Sequence, residues 1–190
     1  MSSQPSRKEM MKIFLQGYNS DTTITCQGQT FHVHSAIITI LSDFFRGAFN
    51  GSFKKTINLP DDDPETIERI ISYLCLHEYQ ENGHILPLSG TAISNSPLKS
   101  SKKYPADVGA IARNHVRVYI AADKFGIVPL KSYAVKEFAH NMSANWQFTV
   151  FLDIAREVMS SVPPHDSGLR DIIADIISKN LTDMKRGPVL

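Results

Sequence analysis

Side chains with a capacity for chemistry are few in this sequence, and they are scattered. His32 and His34 alternate with Phe31 and Val33, so on a strand both imidazoles share one face, and Cys75 and His77 repeat that spacing. Imidazole and thiolate so placed are ligands for zinc or a similar metal. Such sites usually draw their ligands from tight turns of the C-x-x-C kind, and the chain contains none. A histidine that hydrogen-bonds under cover at a strand-to-helix corner accounts for His34 without a metal. Serine, histidine and aspartate are all present, but no nucleophile elbow orders them into a hydrolytic constellation. Gly47 and Gly51 lack both the spacing and the following lysine of a phosphate cradle. Lys99, Lys102 and Lys103 form a short basic cluster, which in a polar loop is more often solvated than bound to nucleic acid. Ser96-Pro97 next to it is the pair a proline-directed kinase favours, and a phosphate there would offset those lysines. The expectation is a chain with no catalytic residue, no metal and no cofactor or small-molecule substrate, in which Ser96 is a candidate phosphosite.

The composition agrees with that expectation. The 190 residues are 42% hydrophobic and 21% charged, as for one globular domain with an appendage. Twenty basic residues face 19 acidic ones, a net charge of +1, so no global field draws the chain to nucleic acid or to an anionic membrane. Proteins are the expected partners. The two cysteines, Cys26 and Cys75, fall on elements expected to be buried, the N-terminus has no apolar run of signal-peptide form, and no stretch is apolar for long enough to span a bilayer. A soluble protein of the cytoplasm and/or nucleus is expected.

The elements that must position these residues follow from periodicity. After a polar start, Lys8 to Tyr18 places Met10, Met11, Phe14, Leu15 and Tyr18 at the spacing of an amphipathic helix. Thr22 to Cys26 reads as a strand that turns at Gln27-Gly28 into a second strand bearing Phe31. Ser35 is expected to cap a short, wholly buried helix of Ala36, Ile37, Ile38, Ile40 and Leu41, and Ser42 or Asp43 to cap another with Phe44, Phe45, Ala48 and Phe49 on one face. Thr56 to Leu59 is a third strand. Pro60 to Pro64 then turns into a helix with Ile67, Ile70, Ile71 and Leu74 inward and Glu65, Glu68 and Arg69 outward, after which His77 to Tyr79 is extended. From about residue 80 to 113 the chain reads as a long flexible insertion, rich in Gly, Ser, Asn, Pro and Lys up to Pro105. Beyond it, Val116, Tyr119, Ile120 and Lys124-Phe125 lie on one helix face, Gly126 is a stop, and Pro129 opens a helix with Leu130, Tyr133, Ala134 and Phe138 inward. Two further helices carry Phe148, Phe151, Leu152, Ala155 and Met159, and then Leu169, Ile172, Ile173, Ile176, Ile177 and Leu181.

In this order of elements, SDTTITCQGQTFHVHSAIITILSDFFRGAF, INLPDDDPETIERIISYL and YIAADKFGIVPLKSYAVKEF resemble the BTB/POZ family over roughly Ser20 to Asn141. The resemblance implies an α+β fold, a small β-sheet covered by α-helices, with an N-terminal helix before it and a helix pair after it. The corresponding regions are 1–19, 20–141 with the insertion at 80–113, and 142–190. The signature positions are Phe31, His34, Ser42, Phe44, Phe45 and Asp123. The family resemblance further implies a non-catalytic protein-protein interaction module: a self-associating adaptor or scaffold, a homodimer in which Met10, Met11, Phe14, Leu15, Tyr18 and Asp21 are the candidate interface, the alternative being that the N-terminal helix face packs on its own domain.

Two departures qualify this. Many members carry Lys or Arg directly after the histidine, completing a charged pocket with the aspartate ahead of the first strand, and here that position is Ser35, so Asp21 loses its expected cation. Members that load a cullin scaffold have an apolar and an acidic residue ahead of the helix with Ala-Ala-Asp-Lys; counting back from Phe125 gives Asn114, His115 and Val116 instead. A substrate-recruiting adaptor of a cullin-type ubiquitin ligase is therefore the alternative reading.

Overall fold

The computed structural model describes residues 6–49, 56–81 and 107–180. Of the expected insertion at 80–113, residues 82–106, with Ser96 and the three lysines, lie outside the described residues, as do Gly51 and Leu181.

Helix α1 spans Arg7–Leu15 and begins with a reciprocal cap in which the Ser6 hydroxyl accepts from the Glu9 N–H and the Glu9 carboxylate accepts from the Ser6 N–H. It ends before Tyr18, three residues earlier than the periodicity predicts. Gly17 turns the chain at φ +79, and a Cβ there would meet the His32 Cβ at 2.6 Å, so the close approach to the sheet requires glycine. Strands β1 (Thr22–Cys26) and β2 (Gln29–Val33) pair antiparallel through Gln27 and Gly28, both at positive φ, the conformation that suits a two-residue hairpin to strand twist. Strand β3 (Thr56–Asn58) lies parallel to β1 on its other side, giving the order β2-β1-β3. Phe31, Ile24 and Ile57 form the inward row and His32, Thr23 and Thr56 the outward one.

Helices α2 (Ser35–Ile38) and α3 (Asp43–Phe49) follow β2. The N-cap of α2 is His34, and it is not the Ser35 expected from sequence, because the Ser35 side chain turns instead to Asp21. Nor is this segment wholly buried. Ile38 is, but Ile40 is 66% exposed, because α2 is a single turn and the chain leaves the core before Ile40. Ser42 does cap α3: its hydroxyl accepts from the Phe45 N–H at 3.1 Å and donates to the Phe125 carbonyl at 2.7 Å. One buried serine thus joins the start of α3 to a helix end 83 residues later.

Helix α4 (Pro64–Leu76) is capped by Asp63 and ends at His77 in left-handed backbone. It is enclosed on all sides, so Glu68 and Arg69, expected outward, are buried; α1, α2, β2 and α5 all pack on it. Helix α5 (Val108–Lys124) starts inside the stretch assigned to the insertion, since Asp107 caps it through the Gly109 N–H. Apolar residues recur along it from Ile111, too sparsely among Gly109, Ala110 and Asn114 for periodicity to mark that first turn. Helix α6 (Val128–Ala144) runs across the expected boundary at 142.

Helices α7 (Phe148–Ser161) and α8 (Gly168–Lys179) pack on α5 and α6, and Phe151, Ile154, Val158, Leu169, Ile173 and Ile176 are contiguous with the sheet-side core. The expected outline of α7 was one residue out at its end: Met159 is exposed while Val158 is buried. A polar knot closes this junction. The Tyr119 hydroxyl donates to Asp166, Lys131 bridges Asp166 at 2.7 Å and Asp123 at 2.6 Å, and the Lys131 ammonium sits 4.9 Å above the Tyr119 ring. Burial and then the bond to Asp166 push the Tyr119 phenol up to about 12, so it remains a donor.

Candidate functional site

Helix α1 is amphipathic in two directions. Leu15 is buried and Met11 partly so, and with them the helix lies on α4, while Lys8 reaches Glu78 at 2.6 Å. On the other side Met10 (45% exposed), Ile13 (45%), Phe14 (38%) and Tyr18 (65%) face solvent. Positions 10, 13 and 14 make a continuous helical stripe, extended by Tyr18 in the following turn. Of the six residues expected at an interface, the structure therefore gathers Met10, Phe14 and Tyr18 on one open face and turns Leu15 and Met11 inward. Ile13 belongs to that face and was missed, because the stripe read from sequence was centred on the buried side of the helix.

Beneath this face lies the corner formed by Asp21, His34 and Ser35. The His34 ring packs edge-on against Phe14 with centroids 5.0 Å apart, and its Nε2 N–H donates to the Tyr18 carbonyl at 2.8 Å. His34 is partly covered rather than fully buried, since the α1 to β1 turn closes only one side of it. It nevertheless fixes the end of α1 against the strand-to-helix corner. The Ser35 N–H donates to Asp21 Oδ1 at 2.7 Å and its hydroxyl donates to Oδ2. Desolvation raises the Asp21 carboxyl, but the Ser35 hydroxyl and amide outweigh it and hold the group below the ordinary aspartate range. Serine thus engages the carboxylate with neutral donors in place of a cation. A shallow, open depression of about 420 Å³ adjoins this corner, lined by Ser20, Asp21, Thr22, Thr23, His32 and Thr56.

Further exposed apolar residues lie between α2 and α3, on α3 and at the start of α6: Ile40 (66% exposed), Phe44 (38%) and Val128 (72%). Phe44 packs edge-on against Phe125 with centroids 5.0 Å apart, while Phe45 stacks on the same ring from inside. The signature residues Phe31, Ser42 and Phe45 are buried, Asp123 pairs with Lys131, His34 is partly covered, and Phe44 combines packing with an open face.

No group of three or more His, Cys, Asp or Glu among the described residues could hold a metal, and His34 Nε2 is engaged by the Tyr18 carbonyl. Cys26 and Cys75 are free and buried, each thiol pushed up to about 11 chiefly by burial, so both are protonated and poor nucleophiles. No helix among the described residues is long and apolar enough to cross a membrane.

The fold and this corner meet a known family at residues 10–87, which match the model of the BTB/POZ domain. The chain carries a BTB/POZ domain. Its matched span opens within α1 and closes beyond α4, so the stripe and the Asp21 corner both lie inside it. Among solved structures, the BTB domain of zebrafish PATZ1 is similar at 12% identity and a TM-score of 0.46, over 72% of this chain and 95% of that one. No curated protein matches in sequence. The BTB/POZ domain is a protein-protein interaction module, typically without catalytic activity. Asn114, His115 and Val116, where the cullin-loading motif was sought, lie within α5, and His115 and Val116 are buried.

Proposed function

We propose that this protein is a non-catalytic, self-associating adaptor or scaffold: it forms a homodimer through α1 and recruits other proteins through surfaces left open. The observation that carries the reading is the stripe of Met10, Ile13, Phe14 and Tyr18, exposed on a helix whose other side is already anchored to α4. An apolar stripe of this kind loses free energy in water and gains when a second apolar surface covers it, and methionine adapts to the shape it meets. A second copy supplies the same stripe by two-fold symmetry. Ile40, Phe44 and Val128 lie on other elements and remain available to a different protein. Buried free thiols fit work in a reducing compartment, the cytoplasm or nucleus.

Light scattering across a concentration series tests the reading. The full chain is expected to be dimeric at micromolar concentration, and the double variant Met10→Glu, Phe14→Glu to be monomeric with its fold retained. A wild-type chain that stays monomeric at high concentration defeats it. Capture of a cullin N-terminal domain in a pull-down would instead favour the ligase-adaptor alternative, through a surface other than Asn114 to Val116.

A further inference from the structure

A further set of titratable side chains lies where the chain leaves α4. After His77 ends that helix, residues 78–81 form a strap whose anchors lie on four helices. The Ser72 hydroxyl donates to the Glu78 carbonyl at 2.9 Å, and Lys8 of α1 pairs with the Glu78 carboxylate. The Tyr79 hydroxyl reaches His115 Nδ1 of α5 at 2.7 Å, and the Tyr79 ring lies against Tyr133 of α6. The Glu81 carbonyl accepts from Asn114 at 3.3 Å and from Arg69 at 3.5 Å.

Only one of these anchors joins a neutral pair through a fully enclosed imidazole. Burial holds the Tyr79 phenol far above its ordinary range, with Tyr133, Glu137 and Glu81 adding to the effect, so its hydroxyl keeps its proton and donates. His115 Nδ1 must then accept, which leaves the ring proton on Nε2, 3.4 Å from Glu81 Oε1. His115 has no exposed surface, and the nearby Arg69 guanidinium is itself buried, with Nε and Nη1 lacking a partner among the described residues. Burial first and Arg69 second bring the imidazole down from 6.5 to about 4. Of the other charged groups on the surrounding elements, Glu65 pairs with Arg69, Glu68 is buried beside Arg69 on α4, Glu137 and His140 of α6 act on the Glu81 carboxylate, and Arg113 of α5 pairs with Glu157 of α7. Burial and Glu137 raise the Glu81 carboxyl, so the one acid facing the ring becomes a weaker counterion as pH falls.

We propose that residues 78–81 are an acid-sensitive catch: a neutral His115 holds the strap on α5 through Tyr79, and a solvent proton taken up at Nδ1 releases it. In the protonated ring the N–H and the Tyr79 O–H would be two donors facing each other across 2.7 Å. The hydroxyl must turn away and lose its acceptor, and the imidazolium stays enclosed beside Arg69. Lifting the strap admits water and returns the ring to its ordinary affinity for a proton. The closed state binds the proton at about 4 and the open state near 6.5, so opening becomes easier as pH falls from 6.5 towards 4. That linkage amounts to about 20-fold in the opening equilibrium between pH 7 and pH 5.

Hydrogen exchange on the full chain, corrected for intrinsic rates, tests this by comparing amides 78–81 with those of α4. Between pH 7 and pH 5 the strap is expected to lose about 20-fold more protection than α4. His115→Gln offers a carbonyl to Tyr79 and an amide to Glu81 but does not titrate in this range, so its strap should show no excess loss. Tyr79→Phe keeps the ring and removes the donor: the strap should exchange several-fold faster already at pH 7, with a smaller further rise at pH 5. Equal factors for strap and α4 in the wild type overturn the proposal, as does an undiminished pH effect in His115→Gln. If that variant does not fold, Tyr79→Phe decides, and a strap as protected as the wild type at pH 7 overturns it.

Discussion

Helices α1 and α8 carry apolar residues at the same helical spacing and have opposite fates. Helix α8 buries Leu169, Ile173 and Ile176 against α6 and α7, and none of its large apolar side chains is left exposed. Helix α1 buries one residue, Leu15, and leaves Met10, Ile13 and Phe14 in water. The first pattern belongs to a helix that completes a core; the second belongs to one that brings an apolar surface out of it. Amphipathic spacing alone does not tell these apart, because it records that a helix has an apolar side and says nothing of what covers it.

The largest expected effect on this contrast comes from α8. Ile173→Asp places a carboxylate in the apolar core at a site 1% exposed, and should lower the melting temperature by about 10 °C or more, from a cost of several kcal/mol. Calorimetry that finds a shift of only a degree or two would show that the helix pair is no part of the cooperative unit. Next comes Tyr119→Phe, which removes the donor to Asp166 and leaves the carboxylate with Lys131. A loss of about 1–2 kcal/mol, or roughly 2–8 °C, is expected, and an unchanged melting curve would mean that Lys131 alone closes the junction.

On α1 the order of effects inverts. Ile13→Glu adds a charge at an exposed site and should move the melting temperature of the monomer by no more than about 2 °C, as surface changes do, while the concentration needed for dimerisation rises at least tenfold. Sedimentation would register that rise, and unchanged association would remove Ile13 from the interface. Smallest of all is Ser35→Ala, which deletes the hydroxyl bond to Asp21 and keeps the amide bond. The native Asp21 carboxyl lies below its unfolded value, so its contribution is present above that value and lost as pH falls through the native one. Followed by NMR, Asp21 should titrate at higher pH in Ser35→Ala. A titration identical to wild type would assign the effect to the backbone amide alone.

Much of the architecture was legible. The hairpin at Gln27-Gly28, the Asp63-Pro64 helix start, the Gly126 stop and the helix pair after residue 145 all depend on caps, turns and periodicity within a few residues. The parallel pairing of β3 with β1 was not, since two helices intervene and three residues carry no register signal of their own. At the candidate site, Met10, Phe14 and Tyr18 were found by spacing, and Ile13 was passed over with the wrong side of the helix. Glu68 and Arg69 read as a solvated face because charge normally marks one, yet here four elements close around α4. His115 drew notice only as a mismatch to a motif; its bond to Tyr79 joins positions 36 apart and has no local trace.

The sequence by itself determined most of the helices and strands and those ends that a local signal marks, such as Asp63-Pro64 and Gly126, because hydrogen-bond caps, glycine turns and side-chain periods act over one or two turns of chain. It also carried the match to the BTB/POZ domain over residues 10–87. Tertiary structure alone decided which apolar faces are covered, that Ser35 serves Asp21 rather than its own helix, and that Tyr79 and His115 meet in a closed space. Those outcomes depend on distant elements occupying the same volume. Burial, and with it the protonation of a side chain, is a property of that packing and not of the residue.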